Sequence, residues 1–335
     1  MLRTSVEKGT PLPTSVEMRK ELGTFILLVL LCAVVAALNP RFLTPANLQN
    51  MSRLIGAFGL LSLGLGVVII TGGIDLSVGS ILALLGVLLS LMLTGWGWSP
   101  VVAVVVTLLV AAALGALHGF LVAYWRIQPF IVTLCGLLFY RGLARFIAQD
   151  ETKGFGRAAG FERLRDLATG ELFGIPTPFI LFIVASAVMW VVLHRSVYGR
   201  YLYAVGRNEE AARYSGINTR LVVGSAYVLS ALFAGVASII FAFYTNSISP
   251  SSHGNFFELY AIAAAVLGGC SLRGGEGTVL GIMVGTALLQ VLQNLVNLLG
   301  IPSSLNFAVM GAVILVGVVA DQLLRRRATK SASTG

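Results

Sequence analysis

The stretch Thr71 to Ser80, TGGIDLSVGS, decides how this chain is read. Apolar sequence runs into it from Leu60 to Ile70 and out of it from Ile81 to Leu93, so Asp75 lies in or beside a lipid-solvated region. An unpaired charge is expensive there. Gly72 and Gly73 remove the Cβ penalty for non-helical backbone, and Asp75 or Ser77 offers an oxygen to the first free amides of a following helix. The segment therefore reads as a capped helix break. Two roles stay open: an ordinary turn between two spans, or a break that exposes polar backbone along a translocation pathway.

The whole chain has the same character. Of its 335 residues, 57% are hydrophobic and 11% charged, and the mean hydropathy is +0.89. That is more apolar surface than a soluble core can bury, so the excess faces lipid. The fold class expected is all-α: a polytopic membrane protein of roughly ten transmembrane helices, some short or broken. The expected spans are Gly23–Leu38, Pro45–Ile70, Ile81–Leu93, Val101–Tyr124, Phe130–Ile147, Phe179–Leu193, Leu221–Tyr244, Phe256–Leu272, Val279–Leu299 and Phe307–Leu324. A cytoplasmic tail over 1–20, one transmembrane unit over 21–325 and a second cytoplasmic tail over 326–335 complete the expected organisation.

The formal net charge of +9 follows topology and not nucleic-acid binding, because the basic residues sit at segment ends without interleaved aromatics. Placing both termini in the cytoplasm puts Arg126, Arg195, Arg200, Arg207, Arg213, Arg220, Arg273 and Arg325–Arg327 on that side, as cytoplasmic loops require. The loop 148–178 then faces outward and the loop 199–220 inward. Cys32, Cys135 and Cys270 are far apart in apolar runs, and His118, His194 and His253 lack neighbouring ligands at metal spacing, so neither a disulfide framework nor a metal site is expected.

Two further stretches carry chemistry. In Gly199–Gly216, Asn208 can cap a short helix with Glu209 and Glu210 in its first turn, Gly216 can stop it, and Ala211 and Ala212 give it a small close-approach face. It is either a docking helix or a solvated linker. In Glu258–Gly277, small residues allow close helix packing, while Gly268, Gly269, Gly274 and Gly275 permit a sharp re-entry. Glu258 there is either a helix-start acid or a pathway group. Gln290, Gln293, Asn294 and Asn297 share a helical stripe suited to packing or to lining a path. No GxxxxGK[ST] motif and no catalytic constellation occurs, so any nucleotide-derived energy comes from a partner chain.

Together TGGIDLSVGS (71–80), GRNEEAARYSGI (206–217) and ELYAIAAAVLGGCSLRGGEGTVLG (258–281), with GTALLQVLQNLVNLLGI (285–301), resemble the permease subunit of bacterial ATP-binding-cassette importers for monosaccharides, the ribose-type branch. Arg207 stands where that family leads one to expect a small residue. The resemblance implies a multi-pass inner-membrane permease that works by alternating access, with no cofactor of its own. It implies cytoplasmic ATPase subunits carrying ATP-Mg, a periplasmic sugar-binding protein, and a second permease copy or a sister chain as partners. The pathway candidates remain those read from the residues, Gly72, Gly73, Asp75 and Ser77 with Asn294 and Asn297, and the resemblance implies an ATPase-coupling segment at Asn208, Glu209, Glu210, Ala211, Ala212, Arg213, Ser215 and Gly216. The alternatives are a permease for another polar solute, such as a furanosyl signalling molecule, and a stand-alone secondary sugar carrier.

Overall fold

The computed structural model describes residues 15–156, 160–302 and single positions between 305 and 315, with side-chain environments from Leu22 onward. Among them, seven helices are long and apolar enough to cross a bilayer. They are α2 (Pro45–Ile70), α3 (Val78–Ser90, continued by a π-helical turn to Gly95), α4 (Pro100–Ala123), α5 (Pro129–Ala148), α7 (Thr177–Arg195), α10 (Thr219–Thr245) and α12 (Val279–Leu298). Prolines at the first turns of α2, α4, α5 and α7 set where each begins, since the missing N–H is not needed there. Two shorter apolar stretches join them, residues 22–38 of α1 (Ser15–Leu38) and α11 (Phe257–Leu267). The expected span at 307–324 and the tail at 326–335 fall outside the continuously described residues, while α1 begins at Ser15, within the expected N-terminal tail.

One expected span is corrected. The stretch 256–272 does not cross the bilayer as one helix: α11 has 11 residues, about 16 Å at ~1.5 Å per residue against a hydrocarbon thickness of ~30 Å. Its end is set by Gly268, whose missing side chain lets it lie against the carbonyl of Gly281 in α12, and by Gly269 at φ +97°.

Helices α2 and α10 form the centre. Every residue of α2 from Ile55 to Ile70 is buried, as expected of a helix that is apolar on all sides. Close approach is made by glycine. On α4, Gly115-x-x-x-Gly119 lies on the α10 backbone at Val228 and Gly224, where an added Cβ would come within 2.7 Å. On α2, Gly56 and Gly59 admit Pro178 and the Phe182 ring of α7, and Gly281-x-x-x-Gly285 of α12 admits α11. The outward faces of α4, α5 and α7 carry exposed Leu109, Leu138, Phe139, Val184 and Val188, a surface for lipid or another membrane chain.

The connections segregate to two ends, as alternate crossing requires. At one end the strands β1 (Lys153–Gly154) and β4 (Ser247–Ile248) pair, the hairpin of β2 (Glu171–Leu172) and β3 (Ile175–Pro176) follows α6 (Glu162–Thr169), Arg53 meets Glu171 at 3.2 Å, and Tyr244 donates to Asn50 at 2.8 Å. Lys153, one of the basic residues of the loop 148–178, is paired with Glu151 at 2.8 Å. At the other, basic end lie the C-terminus of α2, the helices α8 (Val197–Arg207) and α9 (Glu209–Tyr214), the turn after α11, and Arg220 stacked over Tyr124.

Within this frame the chain repeats one manoeuvre in opposite directions. Helix α2, of 26 residues, runs to the basic end, returns through non-helical 71–77 and starts α3 inside the molecule. Helix α10, of 27 residues, runs to the opposite end, returns through 246–256 and starts α11 inside the molecule. The two inner starts touch at Gly79 and Gly254, each so close that a Cβ would collide with the other's carbonyl oxygen. Gly254 also has φ +75°, so Gly254→Ala combines overpacking with left-handed strain and is expected to destabilise the protein by about 2–4 kcal/mol. Thermal unfolding of the purified variant in detergent checks this; a melting temperature equal to wild type refutes the close contact.

Candidate functional site

Non-helical backbone inside a bilayer survives only if protein satisfies it. The segment 71–77 is satisfied by a buried polar cluster built from four helices. Gly72 takes φ +83° directly after α2. Gly73 needs no positive φ; it is glycine because a Cβ there would come within 2.7 Å of the Tyr227 hydroxyl. The carbonyl of Ile74 accepts from Thr133 of α5 at 3.3 Å and from Tyr227 of α10 at 3.4 Å.

Asp75 is 1% exposed. Its Oδ1 accepts the Ser77 N–H at 2.9 Å and the Ser77 hydroxyl at 2.6 Å, and its Oδ2 accepts the Ser230 hydroxyl of α10 at 3.1 Å. The cap thus differs in detail from the sequence expectation. Ser77 precedes α3 but its side chain caps no helical amide; its hydroxyl is committed to Asp75. No ion pair among the described residues includes Asp75, so neutral and backbone donors alone solvate it.

The cluster continues into α4. Because the Ser77 proton goes to Asp75, the 3.4 Å contact between Ser77 Oγ and His118 Nδ1 requires the imidazole to donate from Nδ1. Nε2 is then left to accept the Tyr140 hydroxyl of α5 at 2.9 Å. This orients an unbroken chain, Tyr140 to His118 to Ser77 to Asp75, that ties α5 and α4 to the start of α3. His118 is 2% exposed and lies inside the glycine motif of α4.

The second break is held separately. Arg141 of α5 donates through Nη1 to the carbonyls of Pro250 and His253, at 3.0 and 2.6 Å. The Ser249 N–H donates to His253 Nδ1 at 2.7 Å, which places the His253 proton on Nε2. Glu258, in the first turn of α11, is 6% exposed and faces the missing side chain of Gly79. It stands at the start of α11, as a helix-start acid does, and is buried at the junction of the two breaks.

The amide stripe does not join this site. Asn294 exchanges hydrogen bonds with Asn47 at 3.1 and 2.8 Å, fastening α12 to the start of α2, and Asn297 is exposed near the end of α12. The glycines do converge: Gly274 lies against Gly72, and the Gly275 N–H donates to Ile70 O at 2.8 Å.

At the basic end α9 forms as expected. Asn208 accepts the Ala211 N–H at 2.9 Å, and Gly216 stops the helix at φ +85°. Ala211 and Ala212 do not make one face. Ala212 is buried against the core while Ala211 is exposed with Glu210, Arg213, Ser215 and Tyr214, the last 82% exposed. Glu209 is tethered, accepting from Thr219 of α10 at 3.1 Å.

The sequence reading missed His118, Tyr140, Thr133, Ser230 and Arg141. An ionisable residue inside an apolar span was the available signal for His118 and Arg141. Hydroxyls of Ser, Thr and Tyr gave none, since they pack anywhere a local acceptor exists.

An all-helical frame with two opposed breaks stabilised at its centre is a multi-pass membrane permease. The chain belongs to the family described as branched-chain amino acid transport system / permease component, whose model matches residues 47–318. It is 39% identical to the ribose import permease protein of Bacillus subtilis (strain 168), over 90% of this chain and 93% of that one. It is 39% identical to the ribose import permease protein of Escherichia coli (strain K12), again over 90% and 93%. The D-allose transport system permease protein of Escherichia coli (strain K12) is 32% identical over 91% and 92%. No solved structure matches the chain.

Removing Asp75 leaves three buried donors unanswered, whereas removing Ser230 leaves one acceptor short. Asp75→Ala is therefore expected to cost about 2–4 kcal/mol and Ser230→Ala about 1 kcal/mol. Solute uptake per inserted protein should fall in the same order. Uptake normalised to membrane level, beside a detergent melt, checks this; equal effects of the two would remove Asp75 from the centre of the cluster.

Proposed function

We propose that this chain is the membrane-spanning permease subunit of an ATP-binding-cassette importer for a monosaccharide, with ribose as the first substrate to test. The observation that carries this is the pair of opposed broken segments meeting at Gly79 and Gly254, beside buried Asp75 and Glu258, with α9 packed at one end of the same frame. Such breaks give a permease polar backbone at mid-membrane and parts that can shift against each other. The printed substrates of the relatives, ribose and D-allose, support a monosaccharide.

The basic end is read as cytoplasmic, because positively charged loops are retained there. Helix α9 then meets the ATPase subunits through exposed Glu210, Ala211, Arg213 and Tyr214, while Glu209 holds it to α10. The opposite end, including the paired strands β1 and β4, faces the periplasmic sugar-binding protein, and a second permease copy or a sister chain completes the pathway. ATP-Mg belongs to the ATPase chains.

The test is reconstitution of the chain with its ATPase subunits and binding protein in liposomes. Ribose-loaded binding protein should stimulate ATP hydrolysis and ATP-dependent sugar uptake; uptake by the chain alone, driven by an ion gradient, would make it a secondary carrier instead. Glu210→Arg reverses one exposed charge without touching the Thr219 tether, so it should weaken co-purification of the ATPase while leaving membrane insertion unchanged. Undiminished sugar-stimulated hydrolysis in that variant would move the docking surface elsewhere.

A further inference from the structure

The break after α2 and the turn after α11 are far apart in sequence, yet at the basic end they share one neighbour. The last turn of α8 is wedged between them at Gly206. A Cβ on Gly206 would collide with the carbonyl oxygen of Ile70, where α2 ends, and would lie 2.5 Å from the Gly275 nitrogen, in the turn after α11. Those two groups are themselves bonded, Gly275 N–H to Ile70 O at 2.8 Å. From the other side, a Cβ on Gly274 would lie 2.7 Å from Gly206 O and 2.8 Å from Gly72 N. The Tyr203 hydroxyl, one turn back on α8, donates to Gly277 O at 2.7 Å. So α8 touches the exit of α2 and the turn after α11 by direct backbone approach at Gly206, with the Tyr203 hydroxyl and the Arg207 side chain adding contacts to that turn.

The other end of this wedge is α9. The Asn208 N–H donates to Ala204 O, and the Asn208 carbonyl and side chain accept from Ala212 N and Ala211 N, so one residue closes α8 and opens α9. Leu202 and Val205 hold the inner face of α8 in the core. A push on α9 cannot be taken up between the two helices without breaking those bonds.

We propose that Gly206 is a positioning residue through which movement of α9 reaches the 71–77 break and the turn after α11 at once. It acts on 71–77, and hence Asp75, through Ile70 and Gly72, and on the turn after α11 through Gly274, Gly275 and the Tyr203 bond. This rests on the reading of α9 as the ATPase-docking helix. It adds to that reading a route for the motion: the direct backbone contact of α8 at Gly206.

The experiment uses the complete importer in liposomes, with ribose-loaded binding protein, and reads sugar transported per ATP hydrolysed. Gly206→Ala forces α8 away from Ile70 and Gly275 and is expected to lower that ratio by roughly two- to thirtyfold with the ATPase still bound. Tyr203→Phe removes the hydrogen bond to Gly277 O without adding bulk. It should lower the ratio less, and it decides the matter if Gly206→Ala does not assemble. An unchanged ratio in an assembled Gly206→Ala complex, or in Tyr203→Phe where the glycine variant does not assemble, overturns the joint. A wild-type chain that binds no ATPase subunit overturns the docking reading of α9, and the joint with it.

Discussion

Hydrocarbon offers no hydrogen bonds, and that constraint governs everything built around 71–77 and 246–256. Each exposed peptide group in these returns must find a protein partner. Ile70 O finds Gly275, Ile74 O finds Thr133 and Tyr227, and Pro250 O and His253 O find Arg141. The partners come from α5, α10 and the turn after α11, so the breaks fix the relative placement of helices that apolar packing alone would leave free to slide. The buried carboxylate of Asp75 tightens the same arrangement, because two hydroxyls and an amide must converge on it for the charge to be tolerated.

Glycine does the complementary work. Wherever two backbones must approach to make those bonds, a missing Cβ makes room: Gly79 on Gly254, Gly119 on Gly224, Gly206 on Ile70 and Gly275. Side-chain polarity holds the middle of the molecule and backbone proximity holds its basic end. This division suits a permease. A polar centre held in place by several helices can be carried as a unit, while contacts made of backbone transmit displacement with little slack.

Much of this was legible in sequence. The apolar runs located the spans, Pro45 marked a helix start, and Asn208 three residues ahead of Ala211 gave the cap of α9. The break at Gly72 was visible because consecutive glycines and an acid interrupt an otherwise apolar stretch. The half-helix α11 was not. Its sequence is apolar to Leu272, and hydropathy cannot tell a helix that crosses the bilayer from one that begins halfway, since both are buried in apolar surroundings. The amide stripe was ambiguous for a related reason: Asn294 offers the same chemistry to a sugar and to Asn47, and proximity joins it to Asn47.

The sequence by itself therefore determined the class of solvent around each segment, the places where helix must stop, and the motifs that mark the chain as a permease. These follow from local transfer energies and backbone preferences, which every residue carries with it. What tertiary structure alone decided was which interruptions meet. That Asp75 reaches Ser230 and is linked through Ser77 to His118, that Gly79 faces Gly254, and that Gly206 bridges two distant turns depend on contacts between residues remote in the chain. Such contacts are set by how the helices pack as a whole, and no short window of sequence contains both partners.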